Sequence, residues 1–112
     1  MWKFFKESEV VGLQIRLVQM LDRAREYAGV PFVITSGFRS PDHNAAVGGV
    51  PESSHTKGLA VDLRCETSEK RYRVLTGLIA IGFKRIGIYE KHIHCDIDAL
   101  KPQNVIWWKS TE

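Results

Sequence analysis

The stretch HIHCDI, residues 92–97, alternates polar and apolar side chains without a break. A β-strand sends alternate residues to opposite faces, so His92, His94 and Asp96 point one way and Ile93, Cys95 and Ile97 the other. An earlier stretch, GLAVDLRC at 58–65, has the same character. Ala60, Asp62 and Arg64 share one face, and Val61, Leu63 and Cys65 share its opposite. Such strands need an apolar layer on one side only. If the two are neighbours, their polar faces meet in a common cleft.

The rest of the chain supplies that layer. Val10, Leu13, Leu17, Met20, Leu21, Ala24 and Ala28 recur at three- and four-residue steps, which predicts an amphipathic helix over 7–28, ended by Gly29 and Pro31. PFVITSG (31–37) reads as a short buried strand. In FRSPDHNAAVGG, Ser40 caps a short helix, Pro41 suits its first position and Gly48-Gly49 stops it. Residues 50–57 read as a loop. Residues 68–83 form a second amphipathic helix whose apolar face is Tyr72, Leu75, Leu78 and Ile79, closed by Gly82. KRIGIYE, HIHCDID and VIWWKS are three further strands, the first two joined by a tight hairpin at Glu90-Lys91. Of Trp107 and Trp108, which alternate faces, one belongs to the core and the other lines the cleft or is exposed. The expected fold is α+β, a small, largely antiparallel sheet with two main helices packed on it.

At 112 residues, 44% of them hydrophobic, the chain has the size of one domain, 1–112, with a single modest core. The net charge of +3 comes without a dense Lys/Arg cluster, so no nucleic-acid partner is expected. No apolar run is long enough to span a bilayer. Lys3, Lys6 and Glu7 interrupt any signal-peptide core. Two cysteines with no CxxC pair exclude a cysteine-rich structural zinc site.

Asp62, isolated among apolar residues, needs an arginine, a backbone cap or a metal to offset burial. Arg64 and Arg39 are candidate partners. His55, in the loop just before the strand, can fold back over its end. His55, Asp62 and His94 would then provide two imidazoles and a carboxylate, the donor set of a catalytic zinc site with an open fourth position.

Four motifs in order, ITSGFRS, N-x2-VGG, S-x-H-x2-G-x-AVD and a late HIH, follow a long first helix. Together they resemble the zinc peptidases of the M15 type, which include D-Ala-D-Ala carboxypeptidases and phage endolysins. They also resemble the hedgehog zinc-binding signalling domain, which shares that fold. The resemblance implies Zn²⁺ bound by His55, Asp62 and His94, with Arg39 binding a substrate carboxylate or carbonyl and Ser53, rather than Ser54, contacting substrate. Many members carry an acidic base three residues before the last ligand, where this chain has Lys91. His92, Glu90 and Asp96 are the candidates that remain, in that order. The cysteines fall on the opposite strand face from the ligands, so no covalent nucleophile is expected.

The resemblance thus implies a zinc metallopeptidase of carboxypeptidase or endopeptidase type, acting on peptidoglycan stem or cross-link peptides. It would be a monomer made in the cytoplasm without a signal peptide, acting on the bacterial wall after phage lysis or assisted export. The alternative is a non-catalytic zinc module that binds peptide or protein, or a virion structural domain of the same fold, an option that Lys91 keeps open.

Overall fold

The computed structural model describes residues 2–50 and 52–109. Its elements run α1 (Ile15–Ala28), β1 (Ile34–Ser36), α2 (Pro41–Ala46), β2 (Ala60–Arg64), α3 (Ser68–Ile81), β3 (Arg85–Ile88), β4 (His92–Asp96) and β5 (Val105–Trp108). The strands form one sheet in the order β1-β2-β4-β3-β5. Every pairing is antiparallel except β3 with β5, which is parallel. The fold is the expected α+β one, a mostly antiparallel sheet with two main helices.

The core lies between the helix pair and one face of the sheet. Leu17, Val18, Leu21, Ala24 and Ala28 of α1 are buried with Val61, Leu63, Ile86, Ile93 and Cys95 from the strands. These are the apolar members of the alternating stretches, and the opposite face carries the polar ones. The neighbours β2 and β4 pair in a register that sets Asp62 directly across from His94.

Four expectations need correction. The strand expected to be buried over 31–37 is only Ile34–Ser36, an edge strand with Thr35 exposed and Ile34 and Ser36 half-buried. The first helix begins at Ile15, not residue 7: Glu7–Glu9 is a separate 3-10 turn, and the chain reverses at Gly12 with φ 79°. The buried face of α3 is Val74, Gly77 and Leu78, while Tyr72 and Ile79 are exposed. Gly77 explains the rotation, because it lies so close to α1 that a Cβ there would sit 2.5 Å from the Ala24 carbonyl oxygen. The helix turns its smallest residue inward and its aromatic outward. Lastly, neither tail tryptophan is core: Trp107 is half-buried on the polar face and Trp108 is exposed.

Cys65 and Cys95 are buried free thiols. Burial pushes the Cys95 thiol well above its usual pKa, helped by the charges of Asp96 and Asp62. No helix among the described residues is long and apolar enough to cross a membrane.

Candidate active site

His55 is delivered by a 3-10 turn, Ser54–Lys57, within the segment read as a loop. The Ser53 hydroxyl opens the turn by accepting the His55 backbone N–H at 3.2 Å. Gly58 closes it in the left-handed region (φ 71°), where a Cβ would lie 2.4 Å from the Gly12 carbonyl oxygen. A side chain there would meet both backbone strain and a clash. The turn is also tied to the segment after β4. The Ser54 hydroxyl donates to Asp98 Oδ2 at 2.8 Å and the Lys57 ammonium donates to the same oxygen at 2.9 Å.

Each of the two facing imidazoles has one nitrogen already committed. His55 Nδ1 lies 2.8 Å from the Gly37 carbonyl oxygen, which can only accept, so Nδ1 carries the proton. His94 Nε2 lies 2.7 Å from Asp96 Oδ2. Burial alone would raise the Asp96 pKa, but hydrogen bonds from His94 and the Asp98 amide, with the charges of His94 and Arg85, hold it below the usual carboxylate range. An ionised Asp96 makes His94 Nε2 a donor too.

The remaining nitrogens converge on Asp62. His55 Nε2 is 3.5 Å and His94 Nδ1 3.1 Å from Asp62 Oδ1. Acceptors aimed at one another repel unless a cation lies among them. One such cation is the proton: burial lowers the His94 pKa, but its hydrogen bonds and charge interactions with Asp62 and Asp96 outweigh this and raise it. Burial likewise raises the Asp62 pKa, and the two histidines more than reverse this, holding it well below the usual carboxylate range. A divalent metal is the other. The three ligand atoms lie within 4.8 Å of one another. Two imidazoles and a carboxylate suit zinc, and a carboxylate behind a ligating histidine fixes its ring and raises its basicity. The residues present therefore fit such an ion.

These groups line a cleft of about 320 Å³, with Arg39, Ser53, His92 and Asp96 also on its walls. Asp62 pairs with the histidines rather than with Arg39 or Arg64. His92 stacks on Tyr89 with ring centroids 4.5 Å apart, and its Nε2 lies 4.0 Å from Asp62 Oδ2. Glu90 is placed differently. It lies on the exposed turn between β3 and β4, outside the residues that line the cleft.

Trp107 lines the cleft, as one tail tryptophan was expected to, while Arg85, Gly87, Tyr89 and Asp98 line or support it without belonging to any of the four motifs. Arg85 donates through Nε to Asp96 Oδ1 at 2.8 Å and sits over the Trp107 ring. Trp107 in turn donates to the Tyr89 hydroxyl and lies 5.5 Å from the His94 ring. Gly87 leaves room for the indole, since a Cβ there would come within 2.5 Å of it. Strand parity in RIGIY, applied as in HIHCDI, points Arg85, Gly87 and Tyr89 to one face. Asp98 carried no such signal, because its partners are 41 and 44 positions away. A larger groove of about 600 Å³, between the start of α1 and residues 96–103, shares Asp96 but none of His55, Asp62 and His94.

Among curated proteins no match is found. Among solved structures, the L-Ala D-Glu endopeptidase ChiX of Serratia marcescens is similar in fold, with a TM-score of 0.58 at 19% identity over 81% of this chain and 84% of that one. The profile of the Peptidase M15 family matches residues 4–96. That match runs from the segment before α1 to the end of β4 and takes in His55, Asp62 and His94, and the chain accordingly belongs to the M15 peptidase family.

Proposed function

We propose that this protein is a zinc-dependent peptidase that hydrolyses an amide bond in peptidoglycan stem or cross-link peptides. The observation that carries this reading is the convergence of His55 Nε2, the Asp62 carboxylate and His94 Nδ1 on one point of a walled cleft. Family membership and the fold shared with an endopeptidase support it. His55, Asp62 and His94 would hold the zinc, which when bound would supply Lewis acidity and activate a water.

The chain's own groups do the rest. His92 presents Nε2 toward Asp62. Burial holds its pKa below the ordinary histidine value, with the Asp62 charge opposing and those of His94 and His55 adding. The ring is thus neutral near pH 7 and accepts the water proton, then hands it to the leaving amine. Asp96 has both oxygens engaged, one by Arg85 and the Asp98 amide and the other by His94. It orients the His94 ring instead of moving protons. Glu90, exposed and outside the residues that line the cleft, is not assigned the proton. Arg39 orients the peptide through its guanidinium.

The test is digestion of purified wall peptides, read by mass spectrometry, with chelator and with zinc restored. A new amine end that appears only in zinc supports the reading, and the bond cut separates carboxypeptidase from endopeptidase. A protein that takes up no zinc, or leaves every wall peptide intact, sinks it.

A further inference from the structure

The N-x2-VGG motif takes no direct part in this chemistry, yet Asn44 is almost fully buried. Its side chain makes two bonds at the rim of the cleft. Oδ1 accepts from Arg39 Nη1 at 3.0 Å, and Nδ2 donates to the Val50 carbonyl at 2.6 Å. The amide orientation follows, since a carbonyl only accepts and a guanidinium only donates. Gly49 closes the arrangement. A Cβ on it would lie 2.1 Å from Asn44 Oδ1 and 2.9 Å from Arg39 Nη1. The Arg39 backbone is pinned as well, its N–H donating to the His55 carbonyl at 3.1 Å.

A guanidinium offers two donors side by side along its Nε–Nη2 edge, and that edge matches the two oxygens of a carboxylate. Asn44 occupies Nη1 and leaves this edge. Arg39 Nε is buried and has no hydrogen-bond partner among the described residues. A buried donor in that state is destabilising until an acceptor meets it.

We propose that Asn44, locked by Val50 and Gly49, is a positioning residue that holds Arg39 as a two-donor receptor for a free carboxylate, so that the site takes peptides bearing a carboxylate beside the scissile bond and discriminates against their amides. This rests on the peptidase reading for the role of the peptide, but not for its binding. Asn44 itself touches no substrate. Its effect is on carboxylate recognition and not on proton transfer or metal uptake.

The probes are L-alanyl-D-glutamate and the corresponding diamide, titrated into the protein and followed by the ¹⁵N–¹H signal of Arg39 Nε. Wild type is expected to bind the acid more tightly than the diamide and to shift the Nε signal with the acid alone. Asn44→Ala is expected to lose about tenfold in affinity for the acid, the scale of one charge-assisted hydrogen bond. Affinity for the diamide and zinc content should not change. Gly49→Ala removes no hydrogen-bonding atom but drives a methyl between Asn44 and Arg39, so it is expected to reproduce the loss; it also serves if Asn44→Ala fails to fold. Binding of neither probe, equal affinity of wild type for both, or unchanged discrimination in the folded variants overturns the proposal. Discrimination that depends on Asn44 in a protein that cuts no wall peptide upholds it while the peptidase reading falls. Cleavage with discrimination indifferent to Asn44 does the reverse.

Discussion

His92 and His94 stand two residues apart on one face of β4, yet their chemistry differs because of what lies around each ring. His94 has Asp96 on one nitrogen and Asp62 on the other, and these raise its pKa against burial. His92 has a tyrosine ring against it, no hydrogen-bonded carboxylate among the described residues, and a pKa lowered by burial. The first ring suits a cation and the second suits a proton in transit. His92→Ala is therefore expected to keep its zinc and lose roughly 10²–10⁴-fold in turnover on a defined stem peptide, the range for a positioned acid–base group. Metal analysis and steady-state kinetics check the two halves separately. Full activity in the variant would place the proton carrier elsewhere. The alternation in HIHCDI already put both rings on the cleft side. It could not show how the two rings differ, because their surroundings depend on Asp62 from another strand and Tyr89 across the hairpin.

At the scale of elements, the α1–α3 contact fixes how the helix layer seats against the sheet. Gly77→Ala tests it, with two effects of opposite sign. Helix propensity alone favours alanine by about 1 kcal/mol. The added Cβ, however, would lie 2.5 Å from the Ala24 carbonyl oxygen and 2.9 Å from the Ala28 Cβ. Backbone cannot yield as a flexible side chain does, so overpacking wins and the expected net loss is ~1–3 kcal/mol. A lower urea midpoint with an unchanged slope is the expected reading. A raised midpoint would mean that the helices separate at little cost. The same glycine misled the periodicity of this segment: Tyr72, Leu75, Leu78 and Ile79 form a plausible apolar stripe, and a residue without a side chain does not register as a contact surface.

For the molecule as a whole, Asp98 ties the His55 turn to the segment between β4 and β5. Burial alone would raise its pKa, but hydrogen bonds from Lys57, Ser54 and the Leu100 amide, with the Lys57 charge, bring it below the usual carboxylate range. A folded pKa below the unfolded value of about 3.9 stabilises the native state fully above that value. The contribution is lost as pH falls through the folded pKa. Asp98→Asn should therefore be less stable than wild type near neutral pH, and the gap should narrow as the pH drops from about 5 toward 2. Urea titrations at several pH values, with chelator present so that metal-linked protons do not enter, give this directly. A gap that stays constant with pH would show that Asp98 acts by packing alone.

The local sequence determined which side chains face together. Period-two alternation over 60–64 and 92–97 separates core from cleft because the geometry of a strand leaves no other choice, and Ser40 with Pro41 marks the start of α2 through capping chemistry confined to a few residues. The ordered motifs placed the chain among M15-type peptidases for the same reason, each being short and contiguous. Tertiary structure alone decided what depends on distant segments meeting: the β2–β4 register that sets Asp62 opposite His94, the Arg85 and Asp98 supports, the seating of Trp107 over Gly87, and the exclusion of Glu90 from the cleft. Pairing energies across a sheet and close approaches between helices come from residues tens of positions apart, and no periodicity along the chain encodes where they touch.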